Sequence, residues 1–164
     1  RMCYRDGVIV TKGSNPEEKT AYDMYYDLAQ MCNQAGFNLN FVPDVDLLLN
    51  KNSIIAKKER SFSEDEKVGT KYAKECLKAH YDSGVVTSLK HFPGHGSPTG
   101  DTHLGFVDAS NTWIKNELYP YEQLANLNNL QMVMVSHIFV EKLDTLLQVI
   151  LKYLDRYILR IRFL

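Results

Sequence analysis

Apolar residues along the chain recur alternately at the spacing of a strand and at the spacing of a helix. A short β-branched run at residues 7–11 predicts a strand, and segment 16–34 carries apolar residues at helical spacing. Gly36 follows this segment as a candidate left-handed cap. Residues 37–42 then alternate between apolar and polar, which predicts a second strand. The first part of the chain therefore predicts the order strand, helix, strand.

The same alternation continues through the middle of the chain. Residues 47–60 predict a loop, because Asn and Ser residues that favour turns are frequent there. Residues 63–66 read Ser-Glu-Asp-Glu, the pattern of a capping box that opens a second long helix. Gly84 marks the end of that helix, and the apolar run at 85–89 predicts a third strand.

The last part of the chain repeats the pattern once more. Residues 112–126 predict a helix despite an internal proline, and the apolar run at 132–135 predicts a fourth strand. From residue 144 onward the chain reads as one strongly apolar helix with scattered charges. Strands that alternate with helices indicate an α/β fold with about four βα units and a parallel sheet.

Composition narrows the class of protein. The 164 residues are 45% apolar and 24% charged, which is typical of a soluble globular domain. A net charge of -1 offers no basic surface for nucleic acid. The three cysteines are far apart and form no CxxC pair, so reduced thiols are favoured over a zinc knuckle or a disulfide framework.

The sequence also bears on membrane association and on location. No window of the chain is apolar over the length that a bilayer-spanning helix needs, so no membrane partner is expected. The N-terminal residues lack the long apolar core of a signal peptide. This favours a cytoplasmic location and leaves a periplasmic one open.

Polar residues follow three of the predicted strands. The carboxyl ends of parallel strands meet at one edge of a sheet, where active groups gather in α/β folds. The pairs at these ends are Asp44 with Asp46, Lys90 with His91, and Ser136 with His137. A strand-end lysine can donate to a sugar hydroxyl or an acidic substrate, or it can form a structural ion pair with one of the two aspartates.

The loop at residues 89–105, LKHFPGHGSPTGDTHLG, gathers the most chemistry. Asp101 and His103 can meet if the loop turns back, and a carboxylate beside an imidazole suits acid/base catalysis. A local Asx-turn at Asp101 in a surface loop is the structural alternative. His91, His95, Asp101 and His103 also include the ligand types of a zinc site, although their spacing matches no HExxH helix. His95, between two glycines, either binds or only shapes the loop.

The string KHFPGHG followed by GDTH is more specific than its parts. It resembles the signature of glycoside hydrolase family 3, in the branch of bacterial β-N-acetylhexosaminidases that carry an Asp–His dyad. FNLNFVPDVD at 37–46, ERSFSED at 59–65 and MVMVSH at 132–137 are similar to further segments of that family, in the same order.

The resemblance implies a part of a (β/α)8 TIM-type barrel that removes terminal β-linked N-acetylglucosamine-type sugars with retention. It implies that Arg60, Lys90 and His91 hold the sugar hydroxyls. It also implies that His103 is the general acid/base and that Asp101 orients it, in place of the paired carboxylates of most glycosidases. No metal or other cofactor is expected.

The sequence departs from that family in two places. A Ser-Asp-Asp segment, which carries the nucleophile downstream of the Ser-His strand, is absent from these residues. We therefore expect residues 1–144 to be an incomplete catalytic barrel, and residues 145–164 to be an apolar helical tail unlike the family. An inactive fragment that at most binds sugar, or that associates with another chain through exposed sheet edges, is the alternative expectation.

Overall fold

A computed structural model describes residues 20–144 of the chain. The predicted strand at 7–11, the predicted start of the first helix and the apolar tail at 145–164 lie outside the described residues. The elements are α1 Ala21–Gln34, β1 Leu39–Asn40, α2 Ile54–Lys57, α3 Glu66–Asp82, β2 Val86–Phe92, β3 Val107–Asp108, a 3-10 turn Lys115–Leu118, α4 Tyr119–Leu124, β4 Met132–Val135, β5 Ile138–Phe139 and α5 Glu141–Asp144.

The described strands form two small parallel sheets. The larger sheet has the order β1-β2-β4, with Leu39 opposite Val86 and Leu89 opposite Val133. The smaller one pairs β3 with β5. Parallel pairing confirms the α/β prediction, and it brings the carboxyl ends of β1, β2 and β4 to one edge.

Two long helices pack together beside the larger sheet. α1 contacts α3, and α3 also contacts α4 and β2. The buried core lies between these helices and the sheet; its members include Tyr25, Val42, Ala73, Cys76, Leu77, Leu89 and Leu124. Val68 on α3 is 40% exposed, because the buried face of this helix passes through Gly69 and Ala73.

Polar side chains cap the N-terminal ends of α1 and α3. Thr20 caps α1, since its hydroxyl accepts from the Asp23 N–H while the Asp23 carboxylate accepts from the Thr20 N–H. The capping box predicted at 63–66 is wrong by two residues: Asp65 is the N-cap of α3 and accepts from the amides of Lys67 and Val68. Ser63 instead lies before this cap, and its hydroxyl accepts from the Asp65 N–H.

Three further predictions needed adjustment. The strand expected at 37–42 is hydrogen-bonded as a strand only at Leu39–Asn40, and the expected loop at 47–60 contains α2. The helix expected at 112–126 is a 3-10 turn followed by the shorter α4, with Pro120 in its first turn. Within residues 20–144, no helix combines the length and apolar character needed to cross a lipid bilayer.

His80 fixes α3 to the first strand from a fully buried position. Its Nδ1 lies 2.9 Å from the Cys76 carbonyl oxygen and its Nε2 lies 3.1 Å from Asn40 Nδ2. A carbonyl only accepts, so Nδ1 carries the proton and Nε2 accepts from the amide of Asn40. Burial lowers the pKa of His80, which keeps the ring neutral in the folded chain.

This neutral ring predicts a pH-dependent stability. Because the folded pKa lies below the unfolded value of ~6.5, the contribution of His80 is complete above that value and is lost as the pH falls through the folded pKa. Between pH ~7.5 and ~5.5, wild type should lose more unfolding free energy than His80→Gln, by no more than about 1.4 kcal/mol, the free energy of the one pH unit that lies below the unfolded pKa. Urea unfolding at both pH values measures this; equal losses in the two chains would contradict the assignment.

Candidate active site

A buried carboxylate lies where β1 passes into the following loop. Asp46 is only 2% exposed, and its Oδ1 accepts from the backbone N–H of His91 at 3.2 Å and of His95 at 2.7 Å. Its Oδ2 lies 2.6 Å from His91 Nδ1. Asp46 therefore ties the segment after β1 to the end of β2 and to the loop that follows it.

These contacts define the protonation of His91. Nε2 of His91 lies 3.2 Å from Arg60 Nη2, and a guanidinium can only donate. Nε2 is thus the acceptor, and Nδ1 carries the proton that it donates to Asp46. Burial lowers the pKa of His91 to about 4 although the nearby Asp44 opposes this, so the ring is neutral near pH ~7.

Arg60 contacts the second buried carboxyl group of the site, that of Asp44. Arg60 Nη2 lies 3.0 Å from Oδ2 of Asp44, which is 1% exposed, and Oδ1 of Asp44 accepts from the Asp46 N–H. Burial and the neighbouring Asp46 raise the pKa of Asp44 to about 8, while Arg60 opposes the rise. Arg60 follows α2, so this short helix, which the sequence did not predict, carries the chain to the carboxylates.

Asp101 and His103 meet in the exposed loop, as their spacing suggests. His103 Nδ1 lies 2.9 Å from Asp101 Oδ1, which also accepts from the His103 N–H at 3.0 Å. These contacts from His103 lower the pKa of Asp101, so its carboxylate is ionised near neutral pH. Nδ1 therefore carries a proton and Nε2 is the nitrogen that can exchange one. The His103 side chain is 86% exposed.

One cleft of about 150 Å³ joins these groups. Arg60, His91, Asp101 and His103 all line it, so the structure brings four of the five predicted site residues together. His95, Ser136 and His137 contribute to the same walls. The cleft lies at the carboxyl edge of the β1-β2-β4 sheet, where the parallel topology places active groups.

Lys90 is the predicted site residue that does not line the cleft. Its Nζ donates to the carbonyl of Phe41, and Lys90 is not among the residues that line the cleft. Residues 90 and 91 leave the strand on different sides, so only His91 faces the cleft. The Lys90 charge still reaches the site, because it contributes to the lowered pKa of His91.

The sequence did not reveal the roles of three residues that the site depends on. Asp44 and Asp46 were seen as strand-end groups, but their roles as partners of Arg60 and His91 were not predicted. Glu117 is 1% exposed and accepts from the Gly96 N–H at 3.0 Å. The sequence around Glu117 gives no reason to expect a buried carboxylate, since a glutamate in a predicted helix usually faces solvent.

A metal site can also be tested on this geometry. Asp44, Asp46 and His91 are the group of possible ligands within residues 20–144, with one atom from each lying within 4.8 Å of the others. However, the Arg60 guanidinium lies against Asp44 and the His91 Nδ1 proton points at Asp46. The arrangement fits a hydrogen-bonded network built around the Arg60 guanidinium.

Comparison with known proteins identifies the class. A glycosyl hydrolase of family 3 from Mycobacterium smegmatis superimposes with a TM-score of 0.69 at 30% identity, covering 83% of this chain and 42% of that one. NagZ from Neisseria gonorrhoeae in complex with N-trifluoroacetyl-D-glucosamine gives 0.69 at 25% identity, covering 85% and 41%. These matches show that the fold is part of a TIM-type barrel of the glycoside hydrolase class.

Sequence comparison then gives the family. The glycosyl hydrolase family 3 N terminal domain matches residues 9–162, and the chain belongs to this family. Beta-hexosaminidase A of Pseudoalteromonas piscicida is 38% identical over 115 residues, which are 68% of this chain and 19% of that protein. The chain thus spans less than half the length of each of these three relatives. The family match also extends beyond the predicted boundary at residue 144.

Because three N–H groups donate to Asp46, replacing Asp46 by Asn should lower the free energy of unfolding more than replacing Asp44 by Asn. Asp46→Asn should lower the unfolding free energy by about 3 kcal/mol, because an amide cannot accept from all three donors in the buried site. Asp44→Asn should cost about 1 kcal/mol, since fewer donors depend on it. Chemical denaturation near neutral pH measures both. An Asp44→Asn cost equal to or above that of Asp46→Asn would refute this ranking.

Proposed function

We propose that this chain supplies the sugar-binding and acid/base groups of a β-N-acetylhexosaminidase that removes terminal β-linked N-acetylglucosamine-type sugars with retention. The observation that carries the proposal is the cleft at the carboxyl edge of the sheet, where an Arg60–His91 pair faces an Asp101–His103 pair. Family membership and relatives named beta-hexosaminidase support the substrate class.

The Asp101–His103 pair suits proton exchange with a glycosidic oxygen. In the free chain His103 Nε2 is exposed, and Asp101 holds the ring through Nδ1. When His103 gives a proton to the leaving-group oxygen, it returns to the neutral form; it later takes a proton from the attacking water. Asp101 accepts from Nδ1 throughout, and it stabilises the imidazolium that exists before the first transfer and again after the second.

The Arg60–His91 pair suits recognition of sugar hydroxyls. Arg60 is a fixed cation with donors left after its contacts to Asp44 and His91, and it lines the cleft. His91 is held neutral with its ring position set by Asp46. Lys90 belongs to the proposal as a third hydroxyl ligand, and it would have to release the Phe41 carbonyl to reach a sugar.

Retention requires a nucleophile that forms the glycosyl-enzyme intermediate. The proposal assigns this role to no residue of the 164, so the step assigned here is proton transfer alone. A chain that binds the sugar without turning it over is the second candidate, and the close assembly of the binding groups favours it. Self-association through sheet edges and the boundary at residue 144 stay predictions.

Sugar binding tests the first half of the proposal. Isothermal calorimetry with N-acetylglucosamine should show saturable heat for wild type and at least a tenfold weaker affinity for Arg60→Ala, about 1.4 kcal/mol or more. Lys57→Ala is the matched control, because Lys57 is exposed on α2 and does not line the cleft. Absence of heat in wild type, or an equal loss in Lys57→Ala, would contradict the binding role.

Turnover of an aryl N-acetyl-β-glucosaminide tests the second half. Any rate above background should fall by about 10²-fold or more in His103→Ala, because general acid/base catalysis contributes that much. Asp101→Asn should lower the rate less and alter its pH profile, since the imidazole loses its orienting carboxylate. A wild-type rate equal to that of His103→Ala, with sugar binding intact, would favour the binding-only candidate.

A further inference from the structure

The loop after β2 is held from several sides by side chains outside the proposed machinery. Residues 93–97 carry His95 into the cleft wall. The Pro93 carbonyl accepts from Trp113 Nε1 at 3.1 Å, and the Ser97 carbonyl accepts from Asn50 Nδ2 at 2.9 Å. These contacts fix the two ends of the loop, while its middle depends on two buried carboxylates.

Glu117 is the carboxylate that holds the middle of this loop from the far side. Its Oε2 accepts from the Gly96 N–H at 3.0 Å, and its Oε1 lies 3.4 Å from the backbone N of Ile114, which donates to it. One oxygen therefore serves the loop and the other closes the 3-10 turn that carries Glu117 itself. Burial raises the pKa of Glu117, and the Ser97 side chain and the Gly96 amide oppose the rise.

Two glycines show how closely the loop is fitted. A Cβ on Gly94, whose φ is +120°, would lie 2.4 Å from the Glu117 Cβ. A Cβ on Gly96 would lie 1.9 Å from the Leu47 carbonyl oxygen. The loop thus passes between the Glu117 side chain and the backbone that follows Asp46, with no room for a side chain at either position.

We propose that Glu117 is a positioning residue that, together with Asp46 on the opposite side, clamps the loop 93–97 and so holds His91 and His95 in place for the sugar. The inference rests on the proposed function for its consequence in binding, but not for the clamp itself. Asp46 binds the amide of His95 and Glu117 binds the amide of the next residue, so the two carboxylates grip adjacent peptide groups.

The isosteric substitution Glu117→Gln tests the clamp sharply. Both carboxylate oxygens accept from N–H groups, whereas an amide offers one oxygen and one donor, so Gln satisfies only one contact and opposes the other. Glu122→Gln is the matched control, because Glu122 lies on the adjoining α4 without a role in the loop. The single tryptophan, Trp113, bonds to the loop and acts as an internal reporter.

The measurement is a 15N–1H spectrum of the 164-residue chain with the Gly96 amide and the Trp113 indole assigned. Both signals should shift in Glu117→Gln and stay in place in Glu122→Gln, with far-ultraviolet circular dichroism unchanged. The affinity for N-acetylglucosamine should fall at least tenfold in Glu117→Gln only. Hydrogen exchange of the wild-type Gly96 amide should be slow, which tests the contact even if the variant fails to fold.

Several outcomes would contradict the proposal. Unshifted Gly96 and Trp113 signals in Glu117→Gln, or rapid exchange of the wild-type Gly96 amide, would overturn the clamp. Shifted signals with unchanged sugar affinity would overturn the positioning role. If wild type binds no N-acetylglucosamine, the proposed function fails for this chain, while the spectra and the exchange rate still decide whether Glu117 clamps the loop.

Discussion

The structure depends on one buried carboxylate that cannot be left without donors. Asp46 accepts from the backbone amide and the imidazole of His91 at the end of β2, and from the backbone amide of His95 in the loop after it. A buried charge is tolerated only when such partners surround it, so the loop must return to the end of β1. The same contacts set the tautomer of His91 and, through it, the place of Arg60.

The remaining parts of the site follow from this constraint and from the parallel sheet. Parallel pairing of β1, β2 and β4 brings three strand ends to one edge, and Asp46 joins the first two of them. On one wall of the resulting cleft, Arg60 and His91 are held by the buried Asp44 and Asp46; on the other, Asp101 holds the exposed imidazole of His103. A fixed wall suits recognition, and an exposed imidazole suits the exchange of protons with a leaving group.

The sequence predicted the elements with strong periodicity and the residues within a specific motif. α1, α3, β2 and β4 were anticipated because each carries several apolar residues at one spacing. α2 was missed because four residues show no period, and β3 and β5 because two-residue strands depend on their partners. The Asp101–His103 contact is local and was predictable, whereas the burial of Glu117 and the turn of Lys90 toward Phe41 arise from tertiary packing.

The central claim is that Asp46 holds a neutral His91 with its proton on Nδ1. Long-range 15N–1H correlation of the histidine rings, recorded near neutral pH, tests this directly. His91 should show a protonated Nδ1 and an unprotonated Nε2, and its ring should stay neutral as the pH is lowered through the usual histidine range. A proton on Nε2, or an imidazolium formed at the usual pKa, would contradict it.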